Sequence, residues 1–366
     1  MKRSQEITTK LQLMRQALAE TGSAGVRLRG TDWFAWATAG GANTVLLAAE
    51  TGVAEVLVTT EAAWILTDEI EAQRLQDEEI STDAPYHFHI MPWAQADKRA
   101  TFVQAATGNG KVISDRPTAT EAPLPPALIR HQRILNANEI DRYRQVGHLA
   151  SAAMTEVLHQ AQPDWTEQQL AGAGANALWS RGLHPALILA AGDRRLPLYR
   201  HPLPQPAPLG RQAMLVFCAR GFGLIISLTR FVFFEPMSEQ ERQLHRTIAE
   251  IEAIALNHSQ PDTPLNTVYH ALANAYEQHG FPQAILEHHQ GGTAGYGARE
   301  VIATPATNDV LMANMAIAWN PSLPGAKIED TFVVHSDGRL ENLSFDPNFP
   351  QAEIAGRLRA IPLERT

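Results

Sequence analysis

The stretch 287–300, E-H-H-Q-G-G-T-A-G-Y-G-A-R-E, is polar, aromatic and glycine-rich, and it lies between two apolar segments in the C-terminal half of the chain. It constrains the fold more than any other feature. Adjacent glycines let a backbone approach something that a Cβ would exclude, and paired histidines aim imidazoles at a site. Read alone, it predicts backbone packed against a ligand or metal, with His288 or His289 facing it.

The surrounding pattern is that of a mixed protein with two domains, because 366 residues exceed the usual size of a single core. Ile7, Leu11, Met14 and Leu18 recur at helical spacing and predict a helix over 4–20. Short strand-like runs follow at 25–28, 44–47, 54–59 and 63–66, then a charged helix at 67–77 and a strand at 111–114. Strands alternating with helices predict a mixed α/β N-terminal domain over 1–125. The proline-rich segment 116–126 reads as a linker. In the second domain, 126–366, helices are predicted over 137–161, 239–257 and 265–279, and Thr166 with Gln169 forms a capping box at the start of another. Buried strands are predicted at 187–190 and 214–219, with a long apolar run at 223–234 and last strands at 313–319 and 330–335.

Composition excludes several classes of function. A net charge of −9 argues against nucleic acid as a partner. No apolar window reaches the roughly 18 residues of a membrane span, and the N-terminus M-K-R-S-Q-E-I-T-T-K-L carries no signal-peptide pattern. Cys218 is the only cysteine, so neither a disulfide framework nor a cysteine-based zinc site is expected, in keeping with a reducing cytoplasm. Its apolar neighbours predict a buried structural thiol. Gly221-Phe222-Gly223 lacks the third glycine of a dinucleotide fingerprint, and Gly291-Gly292 lacks the lysine and hydroxyl residue of a phosphate loop. His87 and His89 share one face of a strand, read as a solvated face.

Four islands carry the chemistry: Arg200-His201-Pro202-Leu203-Pro204; G-L-I-I-S-L-T-R at 223–230; the 287–300 stretch; and Trp319-Asn320-Pro321 followed by Gly325-Ala326-Lys327-Ile328-Glu329-Asp330. In order and spacing they resemble the pita-bread family of methionine aminopeptidase, aminopeptidase P, prolidase and creatinase. The resemblance covers the whole chain, including D-W-F-A-W at 32–36 in a creatinase-type N-terminal domain. It implies an α+β fold whose C-terminal domain is a pseudo-twofold antiparallel sheet flanked by helices.

The peptidases of that family hold two divalent metals with two aspartates, a histidine and two glutamates. Carried onto this chain, the ligand positions are Val216, Ser227, His289 (with His288 beside it), Asn320 and Glu329. Three of the five positions have lost their carboxylates. Two dications need anionic ligands to replace their hydration, so neither a metal pair nor any other cofactor is expected. Creatinase, which resembles this chain in lacking the metal centre, hydrolyses a small guanidino compound with a histidine in an H-x-x-P motif as proton shuttle. His201-Pro202-Leu203-Pro204 is similar to that motif.

The resemblance therefore implies a metal-independent hydrolase acting on a C–N bond of a small molecule, as a cytoplasmic homodimer. His201 would shuttle the proton. His289 and Glu329 would form an imidazole–carboxylate pair that positions water or the scissile group. His288, Tyr296, Arg299, Glu300, Asn320, Lys327 and Ser227 would shape the pocket, and Trp33 would line the partner's pocket across a dimer. Each has a plainer alternative. His201 is then a loop histidine, His289 and Glu329 an inherited buried pair, Arg299 a surface ion-pair residue, Asn320 a turn residue and Trp33 core. Arg230 reads as a buried ion-pair residue in either case. Two further functions stay open: a catalytically inactive binding protein, and an Xaa-Pro peptidase.

Overall fold

A computed structural model describes residues 2–95 and 97–365. The chain divides into two compact units, Met1–Glu139 with Phe222–Leu224, and Ile140–Gly221 with Ile225–Thr366. The α+β class holds: helices and sheets contribute to both units.

In the first unit the helix Arg3–Thr21 buries Ile7, Leu11, Met14 and Leu18, the predicted stripe, and Gly22 in the left-handed conformation closes it. Lys10 is buried with that stripe. Its ammonium donates to Glu6 and Glu139 at 2.7 Å each and to the Trp36 carbonyl at 2.8 Å, which satisfies all three of its hydrogens. A six-stranded sheet runs in the order His87–Met91, Ala63–Asp68, Thr51–Val58, Gly25–Gly30, Val112–Ser114, Ala122–Pro123. Three of the sequence expectations fail here. Residues 44–47 form no strand, and Val45 and Leu46 are 60% and 68% exposed. The charged segment 67–77 finishes a strand at Asp68, and its helical part is Ala72–Arg74 running into a π-helical turn at Leu75–Glu79. Finally, 116–126 is not a free linker. Ala122–Pro123 adds an edge strand, where a proline costs no ladder bond on its outer side. Glu121 there accepts from Arg27 and Arg29 at 3.2 and 2.5 Å. His87 lies exposed on the strand His87–Met91, while His89 stacks on Phe102 with ring centres 3.6 Å apart.

The second unit has two main sheets. One orders Leu363–Glu364, Leu224–Phe233, Gln212–Gly221 and His184–Gly192; the other orders Val301–Ile302, Gly291–Ala294, Ala316–Trp319, Asp330–Val334 and Leu340–Asn342. Every residue of Leu224–Phe233 is buried, as its unbroken apolar pattern requires. A bridge between Thr229 and Glu329 ties the two sheets together at their polar positions. Two helices start at side-chain caps, the first of them expected. Thr166 caps Glu167–Trp179 by accepting from Gln169 N–H, and Ser238 caps Glu239–His258 by accepting from Glu241 N–H. Glu239–His258 and Leu265–Gln278 bury one core with Trp319, whose indole N–H donates to Ser259 at 2.8 Å.

Gly291 and Gly292 serve this second sheet. A Cβ on Gly291 would sit 2.1 Å from the Ala318 carbonyl oxygen, and one on Gly292 would sit 1.9 Å from that of Val301. Their close approach is to flanking strands, not to the ligand that the sequence suggested. Among the described residues, no helix is long and apolar enough to cross a membrane.

Candidate functional site

Three loops and two strand ends bring the predicted residues of the second unit together. His201 stands exposed on the irregular segment after Arg200. His288 and His289 lead into Gly291–Ala294. Arg200 pairs with Glu287 and thereby links the two segments. Gln290 fixes the turn from below, since its side-chain amide donates to the His288 carbonyl at 2.5 Å and its oxygen accepts from Tyr276 at 2.9 Å.

His201 Nε2 and His288 Nε2 lie 2.9 Å apart, a hydrogen bond in which one nitrogen carries the proton. His289 stacks on His288 with ring centres 4.5 Å apart. Burial, then the nearby Lys327 ammonium, pushes His288 down to about 2. Burial and then Arg299 push His289 down to about 4. His201 is lowered as well, by burial and then by Lys327. All three are therefore neutral imidazoles at neutral pH. Among the described residues, neither His288 Nδ1 nor His289 Nδ1 has a hydrogen-bond partner.

Glu329 is held differently from the expectation. No His289–Glu329 hydrogen bond forms among the described residues. One carboxylate oxygen accepts from Arg299 Nη2 at 2.5 Å, the other accepts from Thr229 at 2.9 Å, and Lys327 Nζ stands 3.4 Å from that second oxygen. Burial penalises this carboxylate, but Lys327 and Arg299 outweigh it and hold Glu329 at about 2, so it is ionised. Arg299 is consequently no surface residue. Its other arm donates to Ser227 Oγ at 3.2 Å, and Ser227 in turn lies 3.5 Å from Cys218. Burial raises the Cys218 thiol, which fits a structural role.

The remaining candidates separate. Asn320 is 2% exposed; its backbone N–H donates to Gln290, and its side-chain oxygen is buried without a partner among the described residues. Tyr296 is buried, and Glu300 accepts from Gly297 N–H at 2.7 Å, which shapes the following turn. Trp33 belongs to the first unit, in the helix Thr31–Ala37, where it is 5% exposed and packs edge-on against Trp36. Arg230 makes the expected buried ion pair, with Asp330 at 2.7 Å. Sequence reasoning missed what lies behind it: Arg359 is 2.8 Å from Asp330 and also pairs with Glu252. Nothing near Arg359 resembles a motif, so no local signal could have revealed that network. Thr229 was also missed, although strand alternation places it on the same face as Ser227.

The family's two-metal arrangement can be tested against these residues. Val216 lies in an apolar cluster with Leu189, Met214, Phe231 and Met237. Ser227 and Asn320 offer neutral oxygens, and Glu329 is already shared by a guanidinium, a hydroxyl and an ammonium. Two dications would add charge beside two fixed cations with a single carboxylate between them. The donor set does not fit a metal pair.

The family model described as Metallopeptidase family M24 matches residues 141–336. An uncharacterized peptidase of Staphylococcus aureus is 26% identical over 117 residues, covering 30% of this chain and 33% of its own length. The chain thus spans about a third of the length of the curated relatives it matches. Two solved structures share the fold at TM-score 0.76. Xaa-Pro dipeptidase from Bacillus anthracis is 18% identical, with coverage of 93% of this chain and 98% of that one. Dipeptidase PepE from Mycobacterium ulcerans is 16% identical, with 99% of each covered. The N-terminal domain of FACT complex subunit SPT16 from chickpea also aligns, at TM-score 0.70 and 10% identity, over 93% of this chain and 96% of that domain.

Proposed function

This chain belongs to metallopeptidase family M24, and from that premise we propose that it hydrolyses a C–N bond of a small metabolite without the two-metal centre of its relatives. The observation that carries this reading is the His201–His288 contact of 2.9 Å, set beside a carboxylate neutralised by Arg299 and Lys327. With the shared proton on His201 Nε2, His288 accepts it, and His201 Nδ1 has a lone pair for the proton of an attacking water. The resulting imidazolium is stabilised by His288 and returns the proton to the leaving nitrogen.

Glu329 is too firmly paired to be the base. It holds Arg299 and Lys327 in place, and those two cations exceed it by one charge, which suits a substrate bearing a carboxylate. Asn320, with its unpartnered buried oxygen, supplies an acceptor for a substrate N–H. The working form is a homodimer in the cytoplasm, checked by light scattering and fractionation.

The test is a thermal-shift screen of small amides, ureido and guanidino acids, followed by product analysis on the hits. His201→Ala should abolish turnover while its circular dichroism stays unchanged; full activity in that variant would overturn the assignment. A second reading, a binding protein that no longer reacts, is favoured by the saturation of Glu329. A ligand that raises the melting point and is never consumed would support it. Two metals per chain in purified protein would instead favour an Xaa-Pro peptidase.

A further inference from the structure

His201, His288 and His289 present one ring nitrogen each, and all three nitrogens lie within 4.8 Å of one another. They come from two segments that Arg200 and Glu287 pin together. The set is separate from the carboxylate positions of the family, and Glu329 is not part of it. From this cluster we infer a site for a single divalent cation of the zinc class, held by three imidazoles, with its open side toward solvent at His201.

The chemistry selects the cation. Neutral imidazoles suit zinc, nickel, cobalt and copper, whereas magnesium, calcium and manganese prefer oxygen. Zinc bonded to imidazole at about 2.0–2.1 Å in tetrahedral geometry needs its nitrogens roughly 3.4 Å apart. The 2.9 Å between His201 and His288 opens to that spacing by rotation of an exposed side chain. Three protein ligands leave a fourth position for water, the arrangement of an open zinc site. A second sign is His289, whose buried Nδ1 has no hydrogen-bond partner among the described residues. A buried ring nitrogen with no protein partner is costly unless something else takes its lone pair or its proton.

The inference stands apart from the acid–base reading, because it needs only the three histidines and no turnover. The two readings do meet at His201, since a bound cation would take the imidazoles that the proton relay uses. Zinc should therefore inhibit hydrolysis if both are right.

The test loads purified full-length protein with zinc, dialyses it and counts metal per chain, then repeats with cobalt(II) and reads the visible absorption of a four-coordinate ion. One zinc per chain and a four-coordinate cobalt spectrum are expected. His201→Ala, on an exposed loop where folding is not at risk, should weaken zinc at least about tenfold, by analogy with the losses seen even for outer-shell changes. His288→Ala and His289→Ala should do the same, and Glu329→Gln should retain the metal. No zinc after dialysis would overturn the inference. So would zinc retained in all three histidine variants, or zinc lost in Glu329→Gln with circular dichroism unchanged, which would place the ion at the family's own position. If zinc binds and raises turnover, the cation site stands and the metal-free mechanism falls.

Discussion

Replacing Arg299 with methionine tests the electrostatic design of the pocket directly. The change keeps most of the side-chain volume and removes the guanidinium that meets Glu329 at 2.5 Å and Ser227 at 3.2 Å. Glu329 is buried and held at about 2 against an ordinary 4.5. That difference corresponds to about 3 kcal/mol of folded-state stabilisation of the charged form. Because the folded value is depressed, this contribution is fully present above pH 4.5 and is lost as the pH falls from 4.5 toward 2.

Arg299→Met should therefore cost a part of this, about 1–3 kcal/mol at pH 7, because Lys327 and Thr229 still hold the carboxylate. The gap from wild type should narrow as the pH falls through that window, because the wild type loses the same advantage. Glu329→Gln alone should also destabilise, since Arg299 and Lys327 then face each other. The double variant Arg299→Met, Glu329→Gln should recover at least about 2 kcal/mol relative to the sum of the singles. Urea denaturation of the four proteins at pH 7 and at pH 4 measures all of this. If the single effects add to within about 0.5 kcal/mol, the two residues are not coupled and the reasoning about the pocket is wrong.

Other perturbations probe the scaffold. Gly292→Ala places a Cβ 1.9 Å from the Val301 carbonyl oxygen in the middle of a sheet. It should cost more than about 4 kcal/mol, visible as loss of cooperative melting; a melting point within a few degrees of wild type would refute the steric argument. Arg359→Met strips the buried partner of Glu252 and leaves Arg230 as the charged partner of Asp330, so a loss of about 3–5 kcal/mol is expected in denaturant titrations, and one under about 1 would not fit. His245, edge-on to Phe231 at 4.6 Å between ring centres, is pushed by burial from 6.5 down to about 4. Its neutral form is favoured in the fold, so its contribution is complete above pH 6.5 and is lost as the pH falls from 6.5 to 4, by at most about 3 kcal/mol. His245→Phe should flatten the acid limb of the stability profile over that range; an unchanged slope would show that His245 is not the titrating group.

The parts of this fold that were readable in advance are those that local rules decide. The stripe of Ile7, Leu11, Met14 and Leu18 and the cap at Thr166 depend on neighbours a few residues away, and the helices follow them. The run 44–47 failed because apolar character alone does not say what will cover a segment, and nothing in the first unit buries Val45 or Leu46. At the site, His201, His288 and His289 were nameable and do converge. Their pairing was not, because the partner of Glu329 was decided by which side chain could reach it across two sheets. Arg299 reached it and His289 did not. Gly291 and Gly292 were conspicuous for a reason that sequence could not distinguish: a strand flanked closely on both sides makes the same demand as a ligand.

Arg299 and Lys327 have a consequence for how such a pocket behaves in a cell. A metal ion is supplied from outside, exchanges with competitors and can be stripped by a chelator, so an enzyme built on one varies with the ions around it. A guanidinium and an ammonium are covalent parts of the chain and cannot be stripped from it. The positive field at Glu329 is therefore fixed at synthesis, identical in every copy and indifferent to metal starvation.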